Sequence, residues 1–124
     1  MKKNLLLIED NEYNLYMMSF LLEKNGFDVK VAKNGKDGIM LALSEKPEVI
    51  LLDIQLPEMD GYQVLKELKN HDELKNIPVI AVTSYAMPGD REKILQAGAN
   101  GYIEKPINPD TFISDILKCL KDGS

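Results

Sequence analysis

Short apolar runs alternate along this chain with longer stretches in which apolar residues recur at helical spacing. The runs predict five strands, at about 4–9, 28–32, 49–53, 78–83 and 101–105. The stretches between them predict five helices, at about 12–25, 35–45, 61–71, 90–97 and 109–121. This alternation is typical of consecutive βαβ units, so we expect an α/β fold. In that fold a doubly wound parallel five-stranded sheet carries helices on both faces, as a three-layer αβα sandwich.

The residues at the ends of these elements favour the same boundaries. Gly26 and Gly98 are placed to end helices in a left-handed conformation. Asp60 and Asn108 are candidate helix N-caps, and Pro109 would take the first helical position, where its missing N–H costs nothing. The third and fourth strands are apolar on both faces, as buried parallel strands are.

Composition restricts the class of protein further. A chain of 124 residues has the length of one domain, so we expect a single domain over 1–124. Its net charge of −5 offers no basic face to nucleic acid, and no apolar stretch approaches the roughly 20 residues that span a bilayer. A single cysteine, Cys119, fits a reducing compartment. We expect a cytoplasmic monomer with no nucleic-acid or membrane partner.

Reactive residues stand at the end of four of the five predicted strands. Glu9–Asp10 follow the first, Asp53 ends the third, Thr83–Ser84 end the fourth and Lys105 ends the fifth. The carboxyl ends of parallel strands share one edge of the sheet, where ligands bind at the point of reversed strand order. We therefore expect three acids, a hydroxyl and a lysine in one crevice.

This set of side chains suits a metal ion and a phosphoryl group. Carboxylates about 4 Å apart repel by about 4 kcal/mol at an effective dielectric of 20, so the three acids either take up protons or hold a cation. Mg²⁺, which prefers a few carboxylates and accepts phosphate oxygens, is the natural occupant. No glycine-rich phosphate loop is present. Asp53 is the candidate nucleophile toward phosphorus, Lys105 would neutralise charge on the phosphoryl oxygens, and Thr83 could donate a hydrogen bond to one of them.

Four segments carry a resemblance to a known family. They are LIEDN at 7–11, LDIQLPEMDG at 52–61, AVTS at 81–84 and YIEKP at 102–106. With these segments in this order and spacing, the chain resembles the receiver domain of two-component response regulators from end to end. In detail it is most similar to the DivK-type stand-alone receivers and to the receivers of hybrid kinases.

The resemblance implies a fold and a set of roles. The sheet would have the CheY-like (flavodoxin-like) strand order 2-1-3-4-5. Asp53 would accept a phosphoryl group from a phosphohistidine, and Lys105 would pair with it. Asp10, Asp53 and the backbone carbonyl of Gln55 would ligate Mg²⁺, with Glu9 acting through a bound water. The protein would be a stand-alone response regulator, a signalling protein rather than an enzyme.

The resemblance also implies a switch and two partner surfaces. Thr83 would move toward the phosphoryl group and Tyr102 would turn inward, changing the face formed by the fourth helix, fifth strand and fifth helix, which would bind a downstream protein. The Lys105–Pro106 peptide bond would be cis. A histidine kinase or histidine phosphotransfer domain would dock on the first helix, through Tyr13 and Met17. Extra packing of this helix on the fifth is the alternative.

Other functions remain open on the residues alone. A Mg²⁺-dependent phosphatase of the haloacid-dehalogenase kind uses similar groups, but it needs a second Asp where this chain has Gln55. A flavin-binding domain of the same topology is disfavoured by the acidic first turn. A receiver-like binding module that is never phosphorylated is a further alternative.

Several residues also have purely structural interpretations. Asp10 could cap the first helix, alone or while ligating a metal, and Ser84 is interpreted as a capping residue. Cys119 is expected to pack on the last helix, and His71 to have no chemical role.

Overall fold

Strands and helices alternate strictly in the computed structural model, which describes residues 3–56, 60–84 and 89–122. Residues 57–59 of the LDIQLPEMDG segment lie outside the described residues. The strands are β1 (Lys3–Ile8), β2 (Phe27–Ala32), β3 (Val49–Asp53), β4 (Val79–Thr83) and β5 (Gly101–Glu104). The helices are α1 (Glu12–Lys24), α2 (Gly35–Glu45), α3 (Gly61–Asn70), α4 (Asp90–Gln96) and α5 (Phe112–Asp122).

The five strands form one parallel sheet in the order β2-β1-β3-β4-β5. This confirms the fold class and the strand order. In the register of the sheet, Ile8 lies opposite Leu52, and Asp53 lies opposite Val82. The first and third strands are therefore neighbours, and their carboxyl ends are level with the end of β4.

Alternate side chains of the strands supply two separate cores, one on each face of the sheet. Leu6 and Ile8 of β1 pack with residues of α2 and α3, while Leu5 and Leu7 pack with residues of α1 and α5. Every residue of β3 and β4 is buried, as their apolar character predicts. Each fully buried leucine or isoleucine stabilises the fold by about 1.5 to 3 kcal/mol. The sheet therefore fixes the positions at which the loops of its carboxyl edge begin.

The predicted strands agree with the structure to within one residue at each end. Gly26 and Gly98 have φ angles of +90° and +116°, which confirms their place at helix ends. Among the helices, the predicted start of α5 is wrong, because the regular helix begins at Phe112 and not at Pro109. Asn108 instead caps a turn, since its side chain accepts from the N–H of Asp110 and its carbonyl accepts from the N–H of Phe112, each at 2.9 Å.

A close backbone contact fixes the connection between β3 and α3. The Asp60 side chain accepts from the N–H of Tyr62 at 3.0 Å and caps α3, as predicted. The next residue, Gly61, donates its N–H to the carbonyl of Ile54 at 3.1 Å. A Cβ on Gly61 would lie 2.4 Å from the Ile54 Cα, so only glycine fits this approach.

No helix of the described chain is long and apolar enough to cross a bilayer.

Candidate functional site

The carboxyl edge of the sheet brings the predicted reactive residues together. Glu9 and Asp10 follow β1, Asp53 ends β3 and Thr83 ends β4. One ligand oxygen from each of the three acids lies within 4.8 Å of the other two. Lys105 follows β5, and its backbone N–H donates to the carbonyl of Thr83 at 2.8 Å.

The Lys105 ammonium group lies between two buried carboxylates. Its Nζ atom is 3.1 Å from Asp53 Oδ2 and 3.3 Å from Glu9 Oε1. Asp53 and Glu9 are 2% and 1% exposed, so these ion pairs are shielded from solvent. The Lys105–Pro106 peptide bond is cis, as predicted. The Lys105 ammonium is thus held against the Asp53 carboxylate, which also has ligand oxygens of Glu9 and Asp10 within 4.8 Å.

Glu9 occupies an unusual environment for a carboxyl group. Its Oε2 atom accepts from the N–H of Asn11 at 3.1 Å. Its Oε1 atom is buried and has an ion-pair contact with Lys105 but no hydrogen bond of good geometry within the described residues. Burial and, after it, the adjoining Asp53 carboxyl raise the pKa of Glu9 to about 7, and the Asn11 N–H and the Lys105 ammonium offset only part of this rise. The acids therefore crowd one another in the absence of a further cation.

The donor set at this edge fits a hard divalent cation. Three carboxylates at the ends of two adjacent strands supply oxygen ligands, and among the described residues the buried Glu9 Oε1 has no hydrogen bond of good geometry. Oxygen ligands of this number and charge suit Mg²⁺, which also retains waters. The cluster could bind Mg²⁺, and the exposed Asp10 carboxylate leaves one side open to solvent.

Asp10 is not the cap of α1. That position belongs to Asn11, which is extended at φ −80° and ψ 119° and accepts from the N–H of Asn14 at 2.9 Å. Asp10 lies one residue too early to reach the first turn in this way. Its carboxylate is therefore not engaged in capping the helix.

Ser84 does not cap α4, whose N-cap is Gly89, and its contact with Gln55 was missed by sequence reasoning. Both its N–H and its hydroxyl donate to Oε1 of Gln55, at 3.0 and 2.6 Å. The backbone N–H of Gln55 in turn donates to Asp53 Oδ1 at 2.9 Å. The only signal in the sequence was that both residues follow strand ends at the same edge.

Tyr102 lies away from the acid cluster, on β5. Its hydroxyl donates to Glu104 Oε1 at 3.2 Å, and the guanidinium of Arg91 lies 5.7 Å from its ring centroid. Partial burial and the Glu104 carboxylate raise the pKa of Tyr102. Thr83, by contrast, is fully buried at the end of the neighbouring strand.

Two further surface features are an exposed aromatic side of α1 and a groove between α4, β5 and α5. Tyr13, Tyr16 and Phe20 of α1 are 72%, 77% and 56% exposed, while Met17 is partly buried against the α1–α5 core. On the other side, α4, β5 and α5 enclose a groove of about 540 Å³ that Arg91, Tyr102 and Lys118 help to line. Cys119 packs at its base, where a Cβ on Gly101 would lie 2.6 Å from Sγ.

Comparison with known proteins identifies the family of this chain. The family model described as response regulator receiver domain matches residues 5–117. The chain is 46% identical to the polar-differentiation response regulator DivK of Brucella anthropi over 123 residues, which span 99% of this chain and 100% of that protein. Its structure superposes on the receiver domain of a sensor histidine kinase from Pseudomonas aeruginosa with a TM-score of 0.87 at 33% identity, with both chains fully covered. That structure holds a magnesium ion coordinated in its active-site cleft.

A likeness in fold extends to the chemotaxis response regulator CheY4 of Vibrio cholerae. The TM-score is 0.91 at 24% identity, covering 96% of this chain and 99% of that one. None of these comparisons favours the phosphatase or flavin-binding alternatives. The chain belongs to the response regulator receiver domain family, whose members are signalling proteins of two-component systems.

Proposed function

We propose that Asp53 accepts a phosphoryl group from a phosphohistidine of a partner protein. The observation that carries this proposal is the buried Asp53 carboxylate, held 3.1 Å from the Lys105 ammonium and within 4.8 Å of the Glu9 and Asp10 ligand oxygens. A carboxylate with a fixed cation on one side and a cation-binding cluster on the other is set up to attack phosphorus. This makes the chain a phosphoacceptor that acts once per transfer.

The transfer exchanges one bond to phosphorus for another. A carboxylate oxygen of Asp53 forms the new O–P bond as the N–P bond of the phosphohistidine breaks. The electron pair of the N–P bond returns to the imidazole nitrogen, and the phosphoryl group ends as an acyl phosphate on Asp53. Lys105 faces the oxygens that carry the charge in the transition state, which is where a fixed ammonium group lowers the barrier most.

The chain's own groups would hold a magnesium ion beside this carboxylate. Asp10, Asp53 and the backbone carbonyl of Gln55 are the proposed ligands, with Glu9 acting through a water. The buried Glu9 Oε1, which accepts no hydrogen bond from the part of the chain that the structure describes, supports this assignment, as does the magnesium in the similar Pseudomonas receiver domain. When bound, the ion would neutralise phosphoryl oxygens that the acids would otherwise repel.

The same site would report phosphorylation to the surface. We infer that Thr83 moves toward the new phosphoryl oxygens and that Tyr102 then turns inward. Thr83 is buried at the end of β4, and Tyr102 lies on the adjacent strand between Arg91 and Glu104. An inward turn would empty the ring's place in the α4–β5–α5 groove, so a downstream protein could distinguish the two states there.

The phosphodonor would approach over α1. Tyr13 lies in the first turn of this helix, close in sequence to Asp10, and is 72% exposed. Met17 follows one turn later and contributes an apolar edge. A histidine kinase or histidine phosphotransfer domain presenting an apolar surface around its phosphohistidine fits this part of the helix.

Intact mass after incubation with acetyl phosphate tests the proposal. We expect one phosphoryl adduct per chain with Mg²⁺, no adduct with a chelator and no adduct in Asp53→Asn. Asp72→Asn is the matched control, because the Asp72 side chain is 94% exposed and follows the carboxyl end of α3, at the edge of the sheet opposite the site. An adduct that survives in Asp53→Asn would overturn the assignment. Continuous release of phosphate from a phosphomonoester over many turnovers would favour the phosphatase alternative.

A further inference from the structure

Gln55 connects the phosphoacceptor to the segment that would move. Its backbone N–H donates to Asp53 Oδ1 at 2.9 Å. Its side-chain oxygen accepts two hydrogen bonds from Ser84, the residue directly after Thr83. The connection thus joins the end of β3 to the end of β4 across 29 residues of sequence.

The chemistry of the contact fixes the orientation of the amide. A backbone N–H can only donate a hydrogen bond. The group of Gln55 that faces the Ser84 N–H must therefore be the oxygen Oε1. Because the Ser84 hydroxyl donates to the same atom at 2.6 Å, one oxygen holds both donors. A side chain of the same length without an acceptor would lose both bonds.

We infer that Gln55 is a positioning residue that holds the Thr83–Ser84 segment in its unphosphorylated place. This inference rests on the proposed function, in which Thr83 shifts toward the phosphoryl group. Ser84 is joined to Thr83 by one peptide bond, so a shift of Thr83 displaces the Ser84 N–H and hydroxyl as well, and the inferred role requires that this displacement lengthens their hydrogen bonds to Oε1. The two hydrogen bonds therefore stabilise the resting arrangement, and phosphorylation has to break or lengthen them.

The size of the effect follows from the number of bonds lost. A neutral hydrogen bond at such a site shifts an equilibrium by a factor of about two to ten. When a substitution destabilises the resting arrangement, the equilibrium moves toward the switched one. A ligand that binds only the switched arrangement then binds more tightly by the same factor. We therefore expect Gln55→Met to bind a phosphoryl mimic about tenfold more tightly. Ser84→Ala, which removes only the hydroxyl bond, should bind it about threefold more tightly.

The first measurement is the affinity for beryllofluoride in saturating Mg²⁺, by calorimetry. Wild type, Gln55→Met, Ser84→Ala and the double variant are compared, with Gln63→Ala on the exposed face of α3 as the matched control. The double variant should bind no more tightly than Gln55→Met alone, because both changes break the same contact. The second measurement is the hydrogen-exchange rate of the Ser84 amide in metal-free protein. It should rise in Gln55→Met and return to the wild-type value in Gln55→Glu, which keeps an acceptor oxygen.

The results distinguish the role of Gln55 from the phosphorylation of Asp53. Tighter binding in the two single variants, with a non-additive double variant and a faster Ser84 amide, supports the role of Gln55. Wild-type affinity in Gln55→Met, or additive effects in the double variant, would overturn it while leaving phosphorylation of Asp53 in place. If wild type itself fails to bind beryllofluoride with Mg²⁺, the proposed function fails and this inference fails with it.

Discussion

Replacing Asp53 with asparagine is expected to stabilise the metal-free protein against unfolding. The substitution keeps the shape of the side chain and removes its charge. It therefore tests whether the acid cluster is retained for stability or for its chemistry. The answer depends on three terms that the structure supplies: the attraction to Lys105, the repulsion from the other acids, and the burial of Asp53.

The attraction of Asp53 to Lys105 and its repulsion from Glu9 and Asp10 nearly cancel. Lys105 Nζ lies 3.1 Å from Asp53 Oδ2, an attraction of about 5 kcal/mol at an effective dielectric of 20. The other two acids have ligand oxygens within 4.8 Å, and each repels Asp53 by about 3.5 kcal/mol or more at that dielectric. Because Asp10 is exposed, water screens its share of this repulsion.

The burial of the charge then decides the sign. Asp53 is 2% exposed, and removing an ion from water to this extent costs several kcal/mol. Asparagine avoids that cost, and Lys105 keeps Glu9 as a partner at 3.3 Å. We expect the free energy of unfolding to rise by about 1 to 3 kcal/mol in Asp53→Asn.

Urea unfolding with a chelator, at pH 8, measures this difference. At that pH the Glu9 carboxyl, with a pKa of about 7, is largely ionised. Asp72→Asn should leave the urea midpoint unchanged, and added Mg²⁺ should narrow the gap because it binds the wild type more tightly. A less stable Asp53→Asn in the presence of chelator would refute the reasoning. It would mean that the Lys105 ion pair outweighs both repulsion and burial.

Three further substitutions have expected outcomes. Gly61→Ala should lower the free energy of unfolding by about 1 to 3 kcal/mol, since its Cβ would meet the Ile54 backbone; urea unfolding beside Gln63→Ala measures this. Lys105→Met should weaken beryllofluoride binding by about tenfold or more, because a charged hydrogen-bond donor is lost, while circular dichroism in Mg²⁺ stays that of a folded protein. Thr83→Ala should still gain the Mg²⁺-dependent adduct by intact mass, but NMR signals of the Tyr102 ring should no longer change on phosphorylation. A ring that still responds would contradict the proposed switch.

The fold could be predicted because its determinants are local. Five apolar runs and the helical spacing between them are enough to indicate βαβ units, and the residues of β3 are buried on both faces as their sequence predicts. The start of α5 could not be predicted as well. Asn108 and Pro109 have the chemistry of a helix start, but here the cap closes a separate turn and the regular helix follows at Phe112. Local signals identify such a turn without showing whether the helix continues directly from it.

The candidate site likewise combines features that the local sequence predicts with features that depend on distant parts of the chain. Its members could be named because each follows a strand, and a parallel sheet places all strand ends on one edge. The burial of Glu9 and the contact of Gln55 with Ser84 depend on loops whose separation the sequence does not encode in any local pattern. These non-local features are also the ones that bear on regulation. Receivers that share the acids and the lysine but differ at the positions of Gln55 and Ser84 should carry out the same transfer with different resting equilibria.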